Sequence, residues 1–302
     1  MKKYILITAF FLFTNKTMAC DICGCGVGNY YIGLLPQFSK SFVGLRYQFS
    51  SFHTIITGNT SQYSKELFNT IEVWGGFNIG KRWQVITIVP INIIHQINDD
   101  GILKNSGLGD IAVMSNYKLY NHVSATAGKK LIAQTIWIGA GVKAPTGKFN
   151  IAVNEPNLAA LANTEAGSGS TDFILNANYI VSINRWGLTT NLQYKINNTN
   201  RYNYYFGNKL SAGSTAYYTI ITPKFTITPN AGLLYTHNQI NKFNQLKIAD
   251  SDGYFLSSAI GSAFNYKKIT IGCSLQIPLS QRFANGQTIT KTKAMFHISF
   301  SL

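Results

Sequence analysis

From residue 42 onward the chain is a succession of sheet-forming segments joined alternately by long polar links and tight turns, and this rhythm restricts its fold more than any other feature. Residues 42–51, 67–79, 83–94, 108–120, 131–144, 171–183, 186–196, 210–219, 224–237, 254–265, 269–277 and 291–302 are rich in β-branched and aromatic residues, bounded by Gly, Asn, Pro or Ser clusters. The short links are residues 80–82, 184–185, 220–223 and 266–268, with 121–130 a looser member; the others run longer, up to the stretch 145–170. Such a size difference is expected between the periplasmic turns and outer loops of a transmembrane antiparallel up-and-down β-barrel. About twelve strands are expected, an even count that puts both ends of the barrel on one side.

Composition points the same way. Hydrophobic residues make up 46% of the chain and charged residues only 12%, too little charge for the surface of a soluble domain this size. No run of eighteen apolar residues occurs, so a helical membrane protein is excluded and a closed barrel remains. The rival is a soluble β-sandwich or lipocalin-like barrel. Lys2 and Lys3, the apolar core 4–13 and the small residues around Ala19 read as a secretory signal over 1–19. This implies a Cys-rich segment and candidate plug over 20–40, then an outer-membrane barrel over 41–302. The terminal strand, with Phe296, Ile298, Phe300 and Leu302 on one face, resembles the signal read by the machinery that inserts outer-membrane barrels.

Period-two alternation assigns faces. In the first strand Val43, Leu45, Tyr47 and Phe49 are expected to face lipid, with Arg46 and Gln48 inward; Glu72 on the second strand is placed to pair with Arg46. The sixth and seventh strands turn Asn176, Asn178, Asn191 and Gln193 inward. The expected lumen is therefore lined by Arg46, Glu72, Asn176, Asn178, Asn191 and Gln193. Residues 85–94 and 132–140 break the pattern by being apolar on both faces, which implies either a greasy lumen wall or something packed against it.

Four strings carry a family resemblance: GLGDIAVMSNYKLY at 107–120, GAGVKAPTGKF at 139–149, GSGSTDFILNANY at 167–179 and IPLSQRFANGQ at 277–287. They resemble the outer-membrane transporter-like family named for the MetA pathway of phenol degradation. The resemblance implies an outer-membrane β-barrel and, more loosely, passage of small, often hydrophobic molecules. In physical terms the glycines of these strings sit where strands enter or leave long loops. Asp110 and Asp172 follow such glycines, a position from which each can fix a strand end by a local hydrogen bond.

Cys20, Cys23 and Cys25 form the string CDICGCG at the expected mature end. Three readings compete: acylation of Cys20 as in a lipoprotein, a disulfide in an oxidising periplasm, or a soft-metal site for copper or zinc with the three thiolates as ligands. Cys273, among Ile271, Leu275 and Ile277, reads as a lipid-facing hydrophobe. The five histidines show no ligand spacing.

An enzyme is not expected: no GxSxG or HExxH string occurs, and His297 and Ser299 share an inward face. The formal charge of +15 raises a nucleic-acid partner. Its lysines and arginines gather at the expected membrane edges, however, where anionic lipid explains them, so the partners expected are membrane lipid and a small solute. The leading functional expectation is a passive channel or transporter, with a metal-handling barrel as the alternative and an adhesion barrel as a third class.

Overall fold

A strand whose side chains alternate between large apolar and smaller polar residues offers one face to lipid and one to an interior, and such strands can satisfy their backbone groups in a bilayer only by closing into a ring. The computed structural model, which describes residues 40–56, 62–98, 101–125, 130–150 and 162–302, shows that ring. Its strands are β1 (Phe42–Ile56), β2 (Gln62–Ile79), β3 (Trp83–Asn98), β4 in two segments (Gly101–Leu108 and Ala112–Ala125), β5 (Leu131–Lys143) and β6 (Asp172–Ile183). They continue as β7 (Trp186–Ile196), β8 (Lys209–Tyr218), β9 (Thr226–Asn238), β10 (Gly253–Tyr266), β11 (Ile269–Phe283) and β12 (Thr288–Ser301). Each pairs antiparallel with the next, and β12 returns to β1 with His297 opposite Arg46, closing a twelve-stranded barrel. The expected signal over 1–19, the cysteine string and all of the 20–40 segment except Lys40 lie outside the described residues.

The strands reach further outward than alternation alone indicates. β1 runs to Ile56 instead of 51, β2 starts at Gln62 instead of 67, β3 runs to Asn98 instead of 94, and β11 and β12 extend to Phe283 and back to Thr288. Beyond the bilayer these hairpins stay in ladder register while facing water, so their side chains no longer need to alternate. Several links expected to be long loops are correspondingly shorter. At the other end the tight turns hold: Asn184, at a φ of 54°, accepts from the Leu131 N–H through its side chain and donates its own N–H to the Leu131 carbonyl, which ties the β6–β7 turn to the start of β5.

Outward faces are apolar around the whole ring, with Leu45, Val73, Ile138, Leu175, Leu192, Ile260, Leu275 and Ile298 among the exposed side chains. Cys273 is on this face, exposed and unbridged. Near the turn end Trp83 packs on Tyr117 at 4.9 Å and Trp186 on Tyr218 at 4.7 Å, while Lys267 and Lys268 lie over Tyr266 and Phe300. Aromatic rings with cations beside them mark the level of a membrane–water boundary. Phe42 and Ser301, the two ends of the barrel, pair at this same edge.

Inside, the barrel is two-sided. Ile86 and Ile88 of β3 turn inward and pack with Phe42, Trp74, Met114, Trp137 and Ile174. The apolar stretch of β3 is thus a greasy wall, filled by its neighbours on β1, β2, β4, β5 and β6. On β5 the inward positions above Trp137 are Gly139 and Gly141; a Cβ at Gly141 would stand 2.5 Å from Met114 Cγ, so glycine is what admits the Met114 side chain.

Val73 lies on the lipid face of β2 roughly midway up the apolar band, and Tyr63 lies at the outer end of the same strand. Val73→Arg is expected to cost about 2–4 kcal/mol of folding stability in lipid, and Tyr63→Arg less than about 1 kcal/mol. Urea titration of vesicle-folded protein checks the difference; equal costs would place the membrane elsewhere.

Candidate functional site: the barrel lumen

Arg46 and Glu72 face each other across the β1–β2 ladder, both almost fully buried, and form an ion pair through Arg46 Nε. Gln48 Nε2 donates to the same carboxylate at 2.9 Å, and the Arg46 guanidinium lies 4.9 Å from the centre of the Trp74 ring. His297, the ladder partner of Arg46, is buried edge-on to Trp74 at 5.8 Å. A cation with a carboxylate, an amide and a ring around it is a neutral, well-held group. Its effect is to brace the wall of β12, β1 and β2.

Across the ring, strands β6 to β12 border an internal cavity. Asn176, Asn178, Asn191 and Gln193 line one part of it, and Leu234, Phe255, Gln276 and Lys293 another. The amides follow the register: Asn176 opposes Gln193, and Asn178 opposes Asn191. Neither polar atom of the Asn176 side chain is bonded within the described structure, and the same holds for Asn116, which reaches toward it over Gly139. Leaving a buried amide unpaired costs about 1–3 kcal/mol per group, so these amides are set to bond water or a solute in the lumen.

At the outer end of the lumen a second ionic group joins three separate stretches of chain. Lys143, fully buried at the end of β5, contacts Asp110 at 2.6 Å, Asp172 at 2.8 Å and the Ser168 hydroxyl. Asp110 also accepts from the Ser168 N–H at 2.8 Å and the Gly147 N–H at 3.0 Å, while Ser170 donates to Asp172 at 2.8 Å. Between the two segments of β4, Thr146 fills the break, accepting from the Ile111 N–H and donating to the Gly109 carbonyl. The segment 162–170 is drawn over the mouth, where Asn92 and Asn105 donate to the carbonyls of Ala166 and Thr164, and Asn200 donates to that of Ser168. Phe149, Ala162, Tyr204 and Phe206 form a small core above it. In this cap Glu165, outside the strands, has its carboxyl held above the usual range by burial, partly opposed by hydrogen bonds from Asn150 and Asn105 and by Lys148.

With this geometry in view, the family model described as "Putative MetA-pathway of phenol degradation" matches residues 46–270, well over half of the 302. The chain belongs to that family. Among solved structures it is similar to an outer membrane channel from Pseudomonas putida F1, at 13% identity and a TM-score of 0.58, covering 87% of this chain and 95% of that one. It is also similar to the β domain of the Bordetella autotransporter BrkA, at 9% identity and a TM-score of 0.49, covering 87% of this chain and 100% of that one. No curated protein sequence matches significantly. The channel comparison supports the fold of a bacterial outer-membrane β-barrel.

The family strings at 107–120, 139–149 and 167–179 supply Asp110, Lys143, Thr146, Gly147, Ser168, Ser170 and Asp172, so the motifs meet in one ionic group. Asp110 and Asp172 do more than cap their own strand ends: both are held by Lys143, a residue the alternation pattern gives no reason to single out. The fourth string places a register shift near Pro278 and the Ala284–Gly286 turn between β11 and β12. The residues read from the sequence as lumen-lining fall into two places, Arg46 with Glu72 on one wall and the four amides at the cavity. Cys20, Cys23 and Cys25 lie outside the described residues, and among those described no group of three His, Cys, Asp or Glu could hold a metal ion. Nothing in the described structure supports a copper or zinc site.

Removing Lys143 leaves two carboxylates buried together without their cation. Lys143→Met is expected to destabilise the folded barrel by about 3–5 kcal/mol and to speed tryptic cleavage at Lys148, read by urea titration and limited proteolysis. The Arg46–Glu72 pair provides a comparison: Arg46→Met alone should cost more than Arg46→Met with Glu72→Met, because only the single variant strands a buried charge.

Proposed function

We propose that this barrel is a passive channel for a small amphipathic solute crossing the outer membrane. The observation that carries the reading is the lumen itself, where a cavity lined by amides, with that of Asn176 unbonded among the described residues, and by apolar side chains lies inside a closed barrel. Ligand sites are typically apolar enclosures with a few convergent polar groups, and this one has both. Membership of the phenol-degradation family and the likeness to an outer membrane channel support the reading. On it, residues 1–19 direct export, the terminal strand engages the barrel-insertion machinery, and the chain carries out no catalysis.

The test is flux. Reconstituted into planar bilayers and liposomes, the full chain should give a conductance and a solute-dependent swelling rate proportional to the protein added. Narrowing the cavity with Asn178→Trp or Gln193→Trp should lower both several-fold while leaving the folded barrel intact by heat-modified gel mobility. Absence of both current and swelling with correctly folded protein would refute the channel.

A further inference from the structure

We propose that the turn end of the barrel carries a headgroup site for an anionic phospholipid, formed where the β2–β3 turn meets β4. The site lies apart from the solute cavity, so it stands or falls independently of the channel reading. Lys81 and Arg82 of the turn and Lys118 of β4 line a cavity of about 510 Å³ together with Trp83, Leu119 and Trp137, and among the described residues no carboxylate lines it. Two of the cations are fixed. The Lys118 N–H donates to the Arg82 carbonyl at 2.7 Å, which ties the turn to β4, and Arg82 Nη1 donates to the Tyr117 hydroxyl at 2.9 Å. The Lys118 ammonium lies 4.8 Å from the centre of the Trp137 ring, while Lys81 is exposed at the turn.

The acids of the described chain lie elsewhere. Glu66 and Glu72 are on β2, and the nearer, Glu72, is paired with Arg46 and stands six residues outward of Asn78 at the cavity, about 20 Å along the strand. Asp110 and Asp172 are bonded to Lys143 at the outer end, Glu165 is in the cap, and Asp250 and Asp252 are in the outer link between β9 and β10. The terminal carboxylate, on Leu302 after β12, is four strands around the ring from Lys118.

The cavity straddles the rim of the barrel. Trp137, beneath Lys118, belongs to the inner apolar cluster, whereas Trp83 and Leu119 are turned outward, 48% and 56% exposed. Leu119 is the extra residue of a bulge, since Lys118 opposes Trp137 and Tyr120 opposes Ile136, so Leu119 and Tyr120 both stand exposed. A soluble anion leaving the lumen would use the cations and leave Trp83 and Leu119 idle. A lipid held in the leaflet meets both, with its phosphate among the cations and its acyl chains along the apolar side chains. The links at this end are the short ones, which makes it the periplasmic side, where the leaflet is phospholipid. At another turn of the same end Lys267 and Lys268 each lie over a ring, that of Tyr266 at 5.3 Å and that of Phe300 at 5.6 Å. Three cations around one cavity favour a net negative headgroup over a zwitterionic one.

Native mass spectrometry of the full chain, delipidated in detergent, reads bound lipid without any transport. The probes are phosphatidylglycerol, phosphatidylcholine and glycerol 1-phosphate. Phosphatidylglycerol should bind at least about tenfold more tightly than either of the others, because one is net neutral and the other has no acyl chains. Lys81→Gln, Arg82→Gln and Lys118→Gln together should remove the preference for phosphatidylglycerol over phosphatidylcholine. Lys224→Gln, Lys267→Gln and Lys268→Gln together, which remove as many cations from other turns at the same end, should leave it. Equal binding of the two lipids by the unmodified chain, equal binding of phosphatidylglycerol and glycerol 1-phosphate, an unchanged preference in the first triple variant, or the same loss in the second would each overturn the proposal. Should the first triple variant fail to fold, Lys81→Gln alone, at its exposed position, should weaken phosphatidylglycerol several-fold, and an unchanged affinity there would overturn the proposal as well.

Discussion

The rest of this structure depends on the requirement that no backbone N–H or C=O inside the apolar band be left without a partner. Lipid offers none, so the ladder that begins at β1 must return to it, and His297 opposite Arg46 marks the seam. Once the ring closes, every strand has an outside that must be apolar and an inside that need not be. The inside is too narrow to be solvated like a protein surface, so each charge placed there must be neutralised or put to use.

Two groups inside the lumen are of the neutralised kind. Arg46 and Glu72 cancel on one wall, and Lys143 is shared by Asp110 and Asp172 at the outer end. The second does more than cancel, because its members come from β4, β5, the cap and the start of β6. It converts an ionic contact into a fold for the loop over the mouth: with Asp110 accepting from the backbone of both Gly147 and Ser168, the two limbs of that loop are held against each other. Gly147 and Gly167 are glycines there for a spatial reason, since a Cβ on either would stand 2.6 Å from the other's backbone.

Much of the barrel was legible in the sequence because lipid imposes period two on any strand that crosses it. Val43, Leu45 and Tyr47 alternating with Gly44, Arg46 and Gln48 reveal a strand, its faces and its neighbours' faces at once. The outer hairpins were less legible. Past the bilayer nothing forces alternation, and residues 52–56 and 62–66 read as loop although they continue the ladder. The Asn176, Asn178, Asn191 and Gln193 positions could be read because they lie within the alternating region. Lys143 could not: its importance comes from Asp110 and Asp172, which are remote in the chain and meet it only when β4, β5 and β6 pair. Lys293 shares the inward parity of His297, but its contacts were not legible, since its aromatic partners come from β1 and β10.

The two lysines sit in different surroundings. Lys143 is surrounded by carboxylates and hydroxyls, so its charge is spent within the protein and its site is closed to any passing ion. Lys293 rests on the faces of two rings, Phe52 and Phe255, which stabilise a cation through their quadrupoles. It borders a cavity lined by neutral amides, of which Asn176 has neither polar atom bonded among the described residues. A barrel that needed only to be stable could have filled this wall with apolar side chains, as it fills the opposite wall with Ile86, Ile88 and Met114. The amides and the cavity occur together, on the side of the lumen that has room for a solute.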